Sequence, residues 1–327
     1  MLIDSYQRKL NYLRLSITDR CNFNCVYCMP HGMRFKLAHE DILTYEEFLV
    51  IARAAVSEGV TKIRLTGGEP LVRKNLIKFI TDLSELPSPP ELCLTTNGLL
   101  LDDLADDLYK AGISRINISL DSLDPDNFKS ITGHDEFDRV WRGMETALSR
   151  GFKQVKLNTV VIRGHNDHEL ADFARLSLDR PLEVRFIEYM PMGTVGYWSQ
   201  DKFVSNAEMK ESLAPLGALT PVESGNGDGP ASKFRLPGAK GLVGLISPVT
   251  QHFCSSCNRL RLTADGKIRL CLHSNQEVDI KTPLRSGASE AELAAFLRRA
   301  VINKPQRHHL DQSLDHPSNR AMNLIGG

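Results

Sequence analysis

Residues 44–70 read TYEEFLVIARAAVSEGVTKIRLTGGEP, and a helix and a strand meet in them. Thr44 stands three residues before Glu47, the spacing at which each side chain bonds the other's backbone at a helix start. Phe48, Ile51, Ala52, Ala55 and Val56 then recur near helical spacing, and Gly59 ends the run. A short apolar and β-branched run follows at 62–66, and it gives way to Gly67-Gly68-Glu69-Pro70. The same alternation extends in both directions. Runs at 12–18, 62–66, 91–95, 113–120, 155–162 and 183–188 predict strands, and 44–59, 74–86, 102–111, 137–150 and 167–178 predict helices between and after them. Six strands separated by helix-length segments predict an α/β protein with a parallel sheet and right-handed crossovers, curled into a barrel or left open. Chemistry in such folds sits at the C-terminal strand ends. The unusual residues lie there, at 18–28, 66–70, 95–98, 119–122 and 189–193.

The chain has 327 residues, 42% hydrophobic and 24% charged, enough to bury a sizeable core. Forty Lys and Arg balance forty Asp and Glu, which argues against a nucleic-acid or membrane-surface binder drawn by excess positive charge. Any anionic ligand must then be held by local cations. The first ten residues lack an apolar core segment, and no stretch approaches the roughly 18 apolar residues of a membrane span, so a cytoplasmic protein with neither membrane nor nucleic acid as partner is expected. After 193 the alternation loosens, and 223–232 (ESGNGDGPAS) reads as a flexible loop or linker. A second module runs from 233 to the closing Gly326-Gly327.

Seven cysteines are present, and six fall into two triplets, unlike a disulfide framework. Cys21, Cys25 and Cys28 share one loop after the first strand. A structural zinc site normally wants four ligands, whereas three thiolates suit a four-iron cluster with one iron open to a small molecule. Cys254, Cys257 and Cys271 repeat the arithmetic, and from spacing alone a zinc ribbon completed by His252 or His273 is a serious reading. Between them Arg259 and Arg261 fall on the same side of an extended segment, and arginine forks suit phosphate or a base edge. Cys93, the seventh, lies within the third strand as a buried hydrophobe.

The pattern Cys-x3-Cys-x2-Cys with Tyr27 before its last cysteine resembles the signature of radical S-adenosylmethionine (SAM) enzymes. Gly67-Gly68-Glu69 resembles that superfamily's site for the methionine amino group. The resemblance implies one-electron cleavage of the sulfonium to a 5′-deoxyadenosyl radical, with the protein supplying orientation and exclusion of side reactions. By the same resemblance Tyr27, Gly68, Ser119 and Met190 contact SAM. Gly68 would let the backbone approach the methionine, Ser119 would meet a ribose hydroxyl and Met190 would pack on adenine.

The second triplet with Asn258-Arg259-Leu260-Arg261-Leu262-Thr263, Thr66-Gly67-Gly68-Glu69-Pro70 and the final Gly-Gly together resemble the GTP 3′,8-cyclase family of molybdenum-cofactor biosynthesis, over essentially the full length. That resemblance implies an incomplete (βα)6 TIM-like barrel at 1–222 and a C-terminal iron–sulfur and GTP-binding module at 233–327 that closes the barrel mouth. It implies two 4Fe-4S clusters and SAM as cofactors, GTP as substrate, and a downstream cyclic pyranopterin synthase. Abstraction of the ribose 3′ hydrogen would yield (8S)-3′,8-cyclo-7,8-dihydroguanosine 5′-triphosphate. An external electron donor of flavodoxin type is expected, and the sequence leaves a homodimer open.

GTP is a polyanion, and the chain has no Gly-x4-Gly-Lys-Ser/Thr phosphate loop. Arg14, Arg64, Lys156 and Arg185 stand out because they sit within predicted strands, where an unpaired inward charge is expensive. The family's nucleotide contacts match Arg14, Arg64, Thr95, Lys156, Arg259 and Arg261; Arg185 is added by its strand position. The match also implies that Gly326 and Gly327 enter the active site. Two rival readings are a peptide-modifying radical SAM enzyme with an auxiliary cluster, which would call for more cysteines, and a zinc-ribbon nucleic-acid-binding protein.

Overall fold

The computed structural model describes residues 1–29, 36–192, 197–223, 225, 229–308, 310 and 320–326. Six strands, β1 (Tyr12–Ser16), β2 (Lys62–Thr66), β3 (Glu91–Thr96), β4 (Ile113–Ser119), β5 (Gln154–Val161) and β6 (Leu182–Glu188), pair in chain order and all in parallel. The connecting helices are α1 (Tyr45–Ser57), α2 (Leu76–Ser84), α3 (Leu101–Lys110), α4 (Pro125–Thr132) and α5 (Phe137–Ser149), with α6 (Leu170–Asp179) between β5 and β6. The box anticipated for α1 is formed: Thr44 Oγ1 accepts from the Glu47 amide at 3.2 Å, and Glu47 Oε2 accepts from the Thr44 amide at 2.8 Å.

The sheet is amphipathic in the unusual sense. Leu13 and Leu15, Ile63 and Leu65, Ile116 and Ile118, and Val184 and Phe186 face the helices as the core. The alternate positions face a lumen and are polar: Tyr12 and Arg14, Lys62 and Arg64, Arg115 and Asn117, Lys156 and Asn158, Arg185. Each buried Leu, Ile, Val or Phe contributes roughly 1.5–3 kcal/mol on the helix side. The inner face is left to bind ligand.

Two strands from the C-terminal part extend the parallel sheet at both edges. β9 (Leu242–Ile246) pairs with β6, and β10 (Arg259–Leu262) pairs with β1. Outside them lie the antiparallel strands β8 (Ser232–Arg235) with β7 (Thr220–Val222), and β11 (Lys267–Arg269) with β12 (Val278–Asp279). The sheet therefore crosses the expected boundary at 233 without a break. Among the described residues its edges are not joined by backbone pairing, so the barrel stays open in hydrogen-bonding terms, yet Ile246 of β9 and Arg259 of β10 face the same cavity. Helices α7 (Asn206–Leu213) and α8 (Lys281–Arg285) follow, and a C-terminal helix, α9 (Glu290–Val301), clasps α1 from outside through Arg53–Glu290 and Arg298–Glu58 ion pairs.

Candidate active site

The lumen is one continuous cavity, and all six clustered cysteines, the seven expected GTP contacts and the four expected SAM contacts line it. Among the described residues, Gly326 lies just beyond this lining and Gly327 lies outside the described residues.

At the C-terminal ends of the strands the first cysteine loop is tied down from two sides. The Asn24 and Val26 amides donate to the carbonyls of Thr132 and Ile131 at the end of α4, both at 2.9 Å, while Phe23 packs edge-on against Phe128 of the same helix. From the other side, the Gly68 and Glu69 amides donate to the Thr18 and Arg20 carbonyls at 2.8 Å. A Cβ on Gly68 would lie 2.3 Å from the Arg20 carbonyl oxygen. Its missing side chain thus allows the close approach of two loops. Glu69 is likewise a scaffold: its carboxylate accepts from the Leu71 amide (3.0 Å), the Thr96 hydroxyl (2.8 Å) and the Asn97 amide (2.6 Å). Burial pushes its carboxyl up to about 7. The loop therefore presents backbone, rather than this carboxylate, to the cavity. Tyr27 donates to Asp121 Oδ2 at 2.6 Å, and Asp121 Oδ1 accepts from the Val160 amide at 2.8 Å, which fixes the residue before Cys28 to the ends of β4 and β5.

Burial pushes the Cys21 thiol up to about 11 and the Cys28 thiol up to about 12; Cys25 is held well above its ordinary value by burial, by Asp121 and by the neighbouring thiols. As thiolates, the form that ligates metal, the three would need a cationic partner in so buried a place, which an iron–sulfur core supplies. Among the described residues no group of three His, Cys, Asp or Glu side chains is disposed to hold a single metal ion. In an iron–sulfur cluster such convergence is not needed, because each thiolate holds a different iron.

The second triplet lies at the opposite end of the strands. Tyr12 at the start of β1 is in register with Arg259, two residues after Cys257, and β11 runs antiparallel to β10 so that Cys271 returns to the same end. Burial first, and then the neighbouring Cys271 and Cys257, raise the Cys254 thiol above its ordinary value. Between the two triplets stand the four residue steps of β1, roughly 13 Å at about 3.3 Å per residue.

Among the described residues eight cations line the cavity (Arg14, Lys62, Arg64, Arg115, Lys156, Arg185, Arg259, Arg261) against one lining carboxylate, Asp121. Glu183 pairs with Lys156 (3.1 Å) and Arg185 (2.5 Å), and Glu91 with Lys62 (3.1 Å) and Arg115 (2.6 Å). Arg64 donates to the Tyr12 hydroxyl at 2.7 Å and reaches Thr95 Oγ1 at 3.4 Å. Although burial opposes it, the charges of Arg64 and Arg14 lower the Tyr12 phenol to about 8. Arg261 is pulled well below its usual range by burial and then by the charges of Arg14 and Arg259. Crowded buried guanidiniums of this kind are relieved by a polyanion. The Asn117 and Asn158 side chains line the cavity, and among the described residues their buried Oδ1 atoms have no hydrogen-bond partner.

The tail reaches this chamber from above. The Gly326 carbonyl accepts from Arg261 Nη1 at 2.7 Å, and a Cβ there would meet Ser16 and Thr66 side chains at 2.8 and 2.9 Å. With φ at +79° as well, only glycine fits easily. Sequence reading missed Tyr12, Lys62, Arg115, Asn117, Asn158 and Asp121. All but Asp121 occupy the alternate, inward positions of strands already assigned, so extending the period-2 reading inward would have found them.

A parallel strand–helix sheet curled round a cavity, with a three-cysteine loop after its first strand, defines a radical SAM protein. The Radical SAM superfamily model matches residues 15–177, and the Molybdenum Cofactor Synthesis C model matches 182–310. Streptococcus suis SuiB bound to S-adenosylmethionine shares the fold, with a TM-score of 0.63 at 14% identity, covering 98% of this chain and 76% of that one. The GTP 3′,8-cyclase of Moorella thermoacetica is 50% identical over 99% of both chains, and that of Desulforamulus reducens 47% over 100% of both. The chain belongs to the GTP 3′,8-cyclase family. Among the described residues no helix is long and apolar enough to cross a membrane.

Proposed function

We infer that this chain cyclises GTP to (8S)-3′,8-cyclo-7,8-dihydroguanosine 5′-triphosphate, the first step of molybdopterin biosynthesis. Cys21, Cys25 and Cys28 hold a 4Fe-4S cluster, and Cys254, Cys257 and Cys271 hold a second. When bound at the first triplet, the cluster and SAM supply hydrogen-atom abstraction at the ribose 3′ carbon. Tyr27, Gly68, Ser119 and Met190 face SAM at that mouth. Arg259 and Arg261 hold the nucleotide beside the second triplet, while Arg14, Arg64, Thr95, Lys156 and Arg185 neutralise phosphate and keep C3′ and guanine C8 at bonding approach. Gly326 closes the chamber over the reacting ribose, excluding water. An external one-electron donor and a cytoplasmic setting belong to the same reading.

The observation that supports it is the polycationic lumen bracketed by cysteine triplets at both ends. Its test is isotopic. Reduced protein given SAM and GTP deuterated at C3′ should deliver deuterium into 5′-deoxyadenosine, read by mass spectrometry. Turnover without transfer would place the abstraction elsewhere.

A further inference from the structure

Lys304 follows the last turn of α9 and is 3% exposed. Its ammonium donates to the Arg259 carbonyl at 2.9 Å and to the Leu270 carbonyl. It thereby ties together the two arms that carry Cys257 and Cys271. Among the described residues no carboxylate pairs with it. Satisfied only by carbonyls among the described residues, this buried ammonium lacks a counter-charge there, and its two partners place it beside the cysteine arms, Arg259 two residues after Cys257 and Leu270 next to Cys271.

Arg8 provides the contrast. It donates to the Cys254 carbonyl at 2.7 Å and to the Gln306 and Pro305 carbonyls at 2.9 and 2.6 Å, so it fastens the segment after Lys304 to the third cysteine arm. Its charge, however, is spent on Asp4, 2.6 Å away. Of these two buried cations that brace the triplet, Lys304 alone has no carboxylate partner among the described residues, and its charge adds to that of Arg259, two residues after Cys257.

We propose that Lys304 is a fixed counter-cation of the second cysteine triplet, raising the reduction potential of the cluster bound there, with Arg8 as the positioning residue that seats it. This rests on the two-cluster reading above. A nearby fixed positive charge stabilises the reduced, more negative form of a cluster.

The test uses the full chain reconstituted anaerobically, with iron content and a redox titration followed by electron paramagnetic resonance. Wild type should hold about eight irons; about four would sink the two-cluster reading, and this inference with it, before any substitution is made. Lys304→Gln keeps N–H donors for both carbonyls but removes the charge. It should make reduction of the second centre about tenfold less favourable, a fall of about 59 mV for one electron, with the first centre unmoved as internal reference. Lys304→Arg should match wild type. If Lys304→Gln cannot retain the second cluster, retention by Lys304→Arg still assigns the role to charge. Loss in both variants, or full iron with an unchanged midpoint in Lys304→Gln, overturns the proposal.

Discussion

Lys156 shows how a single residue can carry the pH dependence of a neutral protein. Burial first, and then the Arg185 charge, lower its ammonium to about 7, despite the pull of Glu183. The sign follows directly. Below pH 7 the side chain is charged and attracts phosphate; above it, the free protein holds a neutral amine that GTP must reprotonate. Affinity for GTP should therefore be flat up to about pH 7 and then weaken by up to tenfold per pH unit, until the higher pKa of the bound state is reached. Calorimetric Kd values from pH 6.5 to 8.5 check this. Lys156→Arg, which keeps its charge throughout, should flatten the profile and serve as the control for titration of the nucleotide itself. An unchanged slope in that variant would move the effect to another group. This property could not be read from the sequence, since residue type and strand position gave a cation, whereas its pKa depends on neighbours brought from β6.

At the scale of elements, the six central strands were legible to within about two residues, because their outward positions form the helix-facing core in a regular period of two. What the apolar count hid was the other face, where Arg, Lys and Asn occupy positions that a closed hydrophobic barrel would fill with aliphatics. The helix α4 was also missed, although Asp124 accepts from the Asn127 amide as N-cap, Pro125 opens the helix and Gly133 ends it at φ 74°. Being eight residues long, it leaves little periodicity to detect, yet it carries the first cysteine loop. Phe128, 1% exposed, meets Phe23 with ring centres 5.7 Å apart and Phe137 at 5.8 Å. Phe128→Ala should cost the apo chain roughly 3–5 kcal/mol as a core cavity, measured by urea unfolding. It should also lower iron at the first triplet while sparing the second, which cluster-resolved spectroscopy reads. Equal loss at both would mean that α4 supports the whole sheet rather than the loop.

For the molecule as a whole, the seven cysteines and the zero net charge were both visible at the outset, but not how they are arranged in space. The sequence could pair each triplet with a small molecule; only the register of β10 on β1 puts the second triplet at the N-terminal mouth, facing the first along the strands. That placement gives neutrality a measurable consequence. The eight lumen cations are balanced by acids distributed elsewhere in the chain, some close behind them, such as Glu183 and Glu91. They are enclosed by low-dielectric walls, so bulk ions screen them far less than surface charges, for which the Debye length is about 10 Å at 0.1 M salt. A protein reading nucleic acid through 6–10 phosphate contacts loses roughly 10³–10⁵ in affinity between 50 and 200 mM salt, because condensed counterions must be displaced. Here GTP binding should weaken by less than about tenfold over that interval, followed by calorimetry at pH 6.5 where Lys156 is charged. A loss of a hundredfold or more would mean that the cations lie open to solvent and that the two edge strands do not curl together around the nucleotide.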